Sequence, residues 1–179
     1  MTTQTDIERA RFNMVEQQIR PWDVLDQQVI DLLFELRRED FVLPQYRSLA
    51  FFDMEIPLSA NAGEDERMLA PKLEARMLQA LSVKPSDRVL EIGTGSGYMT
   101  ALLARRAAHV TSVEINPEFS AQAAQRLAAH DIRNVTLEVG DGARGWARNA
   151  PYDVIVLTGS TPVLDPAFQA SLNAGGRLL

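Results

Sequence analysis

The stretch Val89-Leu90-Glu91-Ile92-Gly93-Thr94-Gly95-Ser96-Gly97-Tyr98 constrains the fold more than any other part of this chain. Residues with strand character run straight into glycines at every second position, and a helix-forming run follows. Glycines at 93 and 95 permit a tight turn and a close approach of backbone to a ligand. Gly97 lets the next helix sit near a sheet. A strand feeding a helix through such a turn is the first half of a β-α-β unit, so a parallel sheet with right-handed crossovers is expected.

The residues that follow repeat the alternation. The helix opening at the glycine loop is predicted over 100–106, and a strand over 110–115. A helix over 117–129 has Asn116 as its N-cap and Pro117 at its first position. Strands are predicted over 135–139 and 152–157. The near-continuous apolar run Val154-Ile155-Val156-Leu157 fits a central strand covered on both faces. A short helix over 165–172 and the pair Gly175-Gly176 lead into a strand beginning at Arg177. The chain stops as that strand begins, so the C-terminal strands of such a sheet are expected to be missing from it.

Residues 1–83 have a different texture. Ile7, Phe12, Met14, Val15, Gln18 and Ile19 fall on a helical stripe that should stop before Pro21. Val29, Ile30, Leu32, Leu33 and Leu36 form a second helix after Asp26, a good N-cap, and Phe41-Val42-Leu43-Pro44 closes it. Residues 59–66 read as an acidic loop. Pro71 starts a third helix carrying Leu73, Met77, Leu78 and Leu81, and Lys84-Pro85-Ser86-Asp87 breaks it off. The expected organisation is one structural domain overall, with a helical and substrate-loop region over 1–83 and a ligand-binding core over 84–179.

Composition narrows the chemistry. With 179 residues, 46% hydrophobic and 23% charged, this is a globular chain long enough to bury a core. It has no cysteine, which excludes thiolate catalysis and Cys-ligated zinc or iron–sulfur clusters. Its 2 histidines cannot build a three-histidine site, and no metal is expected. The net charge is −6, with 14 acids against 7 bases in residues 1–70 and 10 against 11 thereafter. No basic run is present to track a phosphate backbone, so a nucleic-acid partner is not expected. No apolar run reaches the ~18–20 residues of a membrane span, and residues 1–11 lack a signal-peptide core. The cytoplasm is the expected compartment.

Two acids extend the glycine-loop signal. Glu114 stands 21 positions after Gly93, at the expected end of the second strand of the core. There a carboxylate either accepts both hydroxyls of a ribose or caps the helix starting at Pro117. Gly140-Asp141-Gly142 stands at the end of the third strand, where an acid between glycines either meets an adenine edge or forms a turn. All these positions lie at C-terminal strand ends, where open α/β sheets bind ligands, and together they indicate a nucleoside. The G-x-G-x-G spacing is one residue shorter than the nicotinamide fingerprint, and no Gly-Lys-Ser/Thr of a phosphate-binding loop is present. Glu91 beside the loop suits a ligand with an ammonium or sulfonium group. S-adenosylmethionine has a ribose, an adenine, an ammonium and a sulfonium.

The segment from Val89 to Tyr98 resembles the first motif of class I methyltransferases, and most closely that of the protein-L-isoaspartate O-methyltransferase family. Met14-Val15-Glu16-Gln17-Gln18-Ile19-Arg20 is similar to that family's opening helix. Phe41-Val42, Ala50-Phe51-Phe52-Asp53 and Ile56-Pro57-Leu58 are similar to its next landmarks. Asn134-Val135, the run from Gly140 to Gly145, Tyr152-Asp153-Val154-Ile155-Val156 and residues 172–179 match its later strands. The resemblance implies an α/β, Rossmann-like, doubly wound and mostly parallel sheet, with helices on both faces and a helical region in front. It implies methyl transfer from S-adenosyl-L-methionine, leaving S-adenosyl-L-homocysteine, by in-line displacement onto the carboxylate of a damaged, isoaspartate-bearing protein or peptide. Cofactor contacts are expected from Glu91 through Gly97, from Glu114 and Ile115, from Asp141 and Gly142, and from Thr158.

The acceptor side departs from the family. A Thr-Ile-Ser-Gln-Pro-like segment supplies a hydroxyl there, whereas this chain reads Arg67-Met68-Leu69-Ala70-Pro71, with Leu69 in the place of the serine. Small alanines after the fourth strand are replaced by Thr158-Gly159-Ser160-Thr161. No catalytic residue is therefore assigned. A carboxylate acceptor is ionised at pH 7 and needs no base. That agrees with His109 and His130, which fall at the N-terminal edge of the expected sheet and read as structural. Lys72 and Arg67 either hold an anionic substrate or form a solvated helix start. Trp146 either flanks an adenine or packs in the core, and Trp22 reads as packing. The alternatives are a methyltransferase with another acceptor, a non-catalytic S-adenosylmethionine-binding homologue, and a nicotinamide-dependent oxidoreductase.

Overall fold

The computed structural model describes residues 4–179. The chain forms two compact units, one ending at Ala80 and the other running Leu81–Leu179.

In the first unit, α1 (Gln4–Met14) does not break off before Pro21. It widens into a π turn over Val15–Ile19 and then tightens into a 3-10 turn over Arg20–Trp22, ending at Asp23 with φ 59°. Pro21 sits in the first turn of that tighter segment, where its missing N–H costs nothing. In α2 (Gln27–Glu35) the Asp26 side chain accepts from Gln28 N, and Val29, Ile30, Leu32 and Leu33 are buried. Each contributes about 1.5–3 kcal/mol by leaving water. Two short strands escaped the sequence reading: β1 (Ile56–Pro57) pairs antiparallel with β2 (Arg67–Met68), flanking the acidic loop. Two residues are too few for a period to show. The helix α3 (Pro71–Leu81) starts at the expected proline.

In the second unit, β3 (Arg88–Ile92), β4 (His109–Glu114), β5 (Val135–Val139), β6 (Tyr152–Leu157) and β7 (Leu172–Leu178) form a parallel sheet in the order β5-β4-β3-β6-β7. The helices α4 (Tyr98–Ala104) and α5 (Pro117–Ala129) connect strands progressing one way, and α6 (Pro166–Ala170) connects strands progressing the other way. Right-handed crossovers therefore put α4 and α5 on one face and α6 on the opposite one. The order reverses between β3 and β6, which makes the crevice above their C-terminal ends the ligand position of such a sheet. Leu90, Val113, Tyr152, Ile155 and Phe168 are buried together beneath it.

Three boundaries differ from the sequence reading. Helix α4 begins at Tyr98 because Gly97, at φ 83°, is already its N-cap. Helix α6 ends at Ala170, and β7 begins at Leu172 rather than Arg177. A register shift opposite Tyr152 and Val154 lets β7 take Gly175, at φ 77°, into its length. The sequence places Gly175-Gly176 ahead of the strand; ladder hydrogen bonds bring both into it as an irregular stretch. Among the described residues no helix is long and apolar enough to cross a membrane.

Candidate active site

The glycine loop sits between the C-terminal end of β3 and α4. Gly93, Gly95 and Gly97 have φ of 105°, 51° and 83°, a region that side chains other than glycine rarely occupy. Most of the loop's backbone groups are held. Gly93 N donates to Val113 O at 2.8 Å, and Gly97 N donates to Thr94 O at 2.8 Å. Gly95 N donates to Glu114 Oε2 at 2.8 Å, and Tyr98 N donates to Ser96 Oγ at 3.2 Å. Arg126, on α5, donates to Ser96 O at 3.1 Å, and burial lowers the pKa of its guanidinium. From β6, Thr158 Oγ1 donates to Gly93 O at 2.6 Å, while Thr158 N and Gly159 N both reach Ile92 O at 2.9 Å. The approach is so close that a Cβ on Gly93 would lie 2.5 Å from Gly159 N.

The other expected residues lie on the same edge of the sheet. Glu114 ends β4, and its second oxygen accepts from Asn116 N at 3.0 Å. It therefore anchors the loop and the start of α5 together. Ile115, next to it, is 69% exposed. Asp141 is exposed beyond β5, its Oδ1 accepting from Ala143 N at 2.9 Å. Gly142 is buried, and a Cβ there would meet Ile92 at 2.8 Å.

Glu91, expected beside a cationic ligand group, is 0% exposed. Its Oε2 accepts from Thr100 Oγ1 at 2.5 Å and from Ser112 Oγ at 2.7 Å. The side chain faces the α4 side of a sheet covered on both faces, so the acid next to the loop in sequence points under it. The sequence reading also missed Ser112, Thr100 and Arg126. One signal was available: hydroxyls in the buried strand β4 need a partner, and Ser112 stands in register with Glu91.

His109 starts β4 at the opposite edge, with Nε2 2.9 Å from Thr136 Oγ1, and His130 caps the C-terminal end of α5. Neither is near the loop's edge of the sheet. The Trp146 ring packs against Gly140, where a Cβ would be 2.7 Å from it, and joins the apolar cluster below. Among the described residues no three His, Asp or Glu side chains are grouped to hold a metal.

The acceptor segment belongs to the first unit. Leu69 is half-buried, and its carbonyl accepts from Arg38 Nη2 at 2.6 Å. Arg38 is 1% exposed; its Nε donates to Ala50 O at 2.9 Å, and its Nη1 pairs with Glu74. Burial pushes the Glu74 carboxyl up to about 7 against the opposing effect of Arg38. Lys72 is engaged, with Nζ 2.6 Å from Asp53 Oδ2 and 4.3 Å from the centre of the Trp22 ring. Trp22 is thus 47% exposed beneath an ammonium rather than packed in a core. Arg67 Nε donates to Glu64 O at 3.0 Å.

A family model for protein-L-isoaspartate(D-aspartate) O-methyltransferase matches residues 9–179. The chain belongs to this family. Protein-L-isoaspartate O-methyltransferase 1 of a Polaromonas species is 38% identical over 156 residues, which is 87% of this chain and 64% of that protein. A solved protein-L-isoaspartate O-methyltransferase structure matches with a TM-score of 0.78 at 27% identity, over 96% of this chain and 54% of that one. A Plasmodium falciparum protein crystallised in complex with S-adenosyl-L-homocysteine has a TM-score of 0.73 at 16% identity, over 96% of this chain and 81% of that one, a likeness of fold. This member of the isoaspartate methyltransferase family thus spans under two thirds of the length of the first two relatives.

Proposed function

We propose that this chain binds S-adenosyl-L-methionine and methyl-esterifies the carboxylate of an isoaspartyl residue in a damaged protein or peptide of the cytoplasm. The observation that carries this reading is the immobilised glycine loop at the β3/β6 crevice, with Glu114 and Asp141 on the same edge. Two carboxylates suit a ligand rich in hydroxyl and amine donors. Ile115 offers an exposed apolar surface beside them. Arg126, a guanidinium bonded to the loop, donates to a backbone carbonyl, Ser96 O. Family membership supports the same cofactor.

The cofactor, when bound, supplies a methyl group on a positively charged sulfur. The residues of the chain hold and orient it: Glu114 takes the ribose hydroxyls, Asp141 the adenine edge, and the loop the remainder. An isoaspartyl carboxylate is ionised at neutral pH and attacks without a base. Both histidines lie at the far edge of the sheet, which fits a reaction needing none.

The test is transfer of labelled methyl from S-adenosyl-L-methionine to an isoaspartyl peptide and to its aspartyl counterpart. A base-labile methyl ester on the isoaspartyl peptide alone is expected. Calorimetric binding of NADH but not of S-adenosyl-L-homocysteine would overturn the cofactor. Cofactor binding with no ester formed on either peptide would overturn the acceptor and favour a non-catalytic homologue or another acceptor, the reading that Leu69 supports.

A further inference from the structure

We propose that Glu91 is a positioning residue for the cofactor loop, acting through Ser112 on the hydroxyl of Thr94. The inference rests on the cofactor reading above and assigns Glu91 a role other than contact with the ligand.

The argument is one of counting hydrogens. A serine or threonine hydroxyl has one hydrogen to donate. Thr100 Oγ1 and Ser112 Oγ both donate to Glu91 Oε2, at 2.5 and 2.7 Å. The hydrogen of Ser112 is then committed. The 2.6 Å contact between Thr94 Oγ1 and Ser112 Oγ must take its hydrogen from Thr94. The carboxylate thus sets the direction of both bonds, and the Thr94 hydrogen points down into the sheet. All four side chains are buried: Glu91, Thr100 and Ser112 at 0% exposure and Thr94 at 3%. Low dielectric strengthens such a chain, and the two hydroxyls donating to Oε2 offset part of the cost of burying the acid.

The place where the chain ends gives it a purpose. Thr94 lies between Gly93 and Gly95, which take positive φ here and, lacking a Cβ, have many other backbone conformations open to them. Its side chain tethers the turn from inside, alongside the Gly95 N bond to Glu114, and Ser112 carries that tether to β4 and β3. Without it the loop would hold fewer of its N–H and C=O groups in a single arrangement, and a ligand bound to them would have to order the turn first.

The experiment measures S-adenosyl-L-homocysteine affinity by calorimetry on the full chain, with melting temperatures recorded alongside. Thr94→Val keeps the shape and removes the hydroxyl; about tenfold weaker binding is expected, the effect of one lost hydrogen bond. Thr94→Ser retains the hydroxyl and should stay within about threefold of the parent. Glu91→Leu should weaken binding by itself, yet add less than about threefold in the Thr94→Val background, because both cut one chain. Should Glu91→Leu fail to fold, Ser112→Ala replaces it in the same cycle, leaving the carboxylate in place. The proposal is overturned if Thr94→Val binds like the parent, if Thr94→Ser is as weak as Thr94→Val, or if the losses multiply in the double variant. Absence of binding to the parent chain would overturn the cofactor reading instead.

Discussion

Glu114 holds the loop and the start of α5, and the proposed reading adds a ribose to the same carboxylate. Its oxygens already accept from Gly95 N and Asn116 N, and an ionised carboxylate has about four lone-pair sites, enough to accept ribose hydroxyls as well. Glu114→Ala should therefore loosen the turn and remove ligand contacts together. At least tenfold weaker S-adenosyl-L-homocysteine binding is expected by calorimetry, against no change for Glu118→Ala, exposed on α5. Equal losses in the two variants would dismiss the ribose assignment. Leu69 stands where the family resemblance implies a serine. In the proposed reading an apolar side chain there leaves a polar substrate group unmet, so Leu69→Ser should raise the rate of methyl transfer to an isoaspartyl peptide severalfold, with labelled cofactor as the readout. The carbonyl of Leu69 is bonded to Arg38, so the backbone that presents the new hydroxyl stays in place. Unchanged turnover would mean that position 69 does not meet the substrate.

Among the elements, the joint between β3 and β6 is the least tolerant. Two backbone N–H groups and the Thr158 hydroxyl converge on Ile92 O and Gly93 O. Gly93→Ala would place a Cβ 2.5 Å from Gly159 N, at a φ of 105°. Neither backbone can move without breaking those bonds. A loss of roughly 2–4 kcal/mol is expected from urea unfolding, near the upper end for point substitutions. Gly63→Ala is the contrasting case: its φ is unexceptional and the nearest atom to its added Cβ is 3.9 Å away, so stability should change by less than about 0.5 kcal/mol. A large loss in both would show that unfolded-state effects dominate. The elements themselves were legible where their signals are local. Asp26 and Asn116 cap the helices their positions indicated, and Pro71, Pro117 and Pro166 stand in first turns. Strands β1 and β2 were not legible, because pairing across the acidic loop makes them and period does not.

For the molecule as a whole, the pH dependence of stability carries the mark of Glu74. Burial raises its pKa from 4.5 to about 7, so between those values the folded chain binds a proton that the unfolded chain has released. Its contribution is fully present below about pH 4.5 and is lost as pH rises through about 7. Unfolding free energies measured from pH 5 to 8 should fall more steeply for the parent than for Glu74→Gln, which has nothing to titrate; parallel curves would show that Arg38 keeps Glu74 ionised throughout. The sequence by itself determined the alternation of strands and helices in residues 84–179, the glycine turn, and the strand ends at or just beyond which Glu114 and Asp141 stand. Those follow from backbone propensity, capping and spacing, which act within a few residues. Only the tertiary structure decided where side chains point. Glu91 lies beside the loop in sequence, yet in a sheet covered on both faces either direction is interior, and Thr100 and Ser112, 9 and 21 residues away, drew it under the turn. Lys72 was a free cation in sequence until Asp53, 19 residues back, came within 2.6 Å. The direction of a polar side chain is set by the partner that satisfies it, and these partners meet only when the chain has folded.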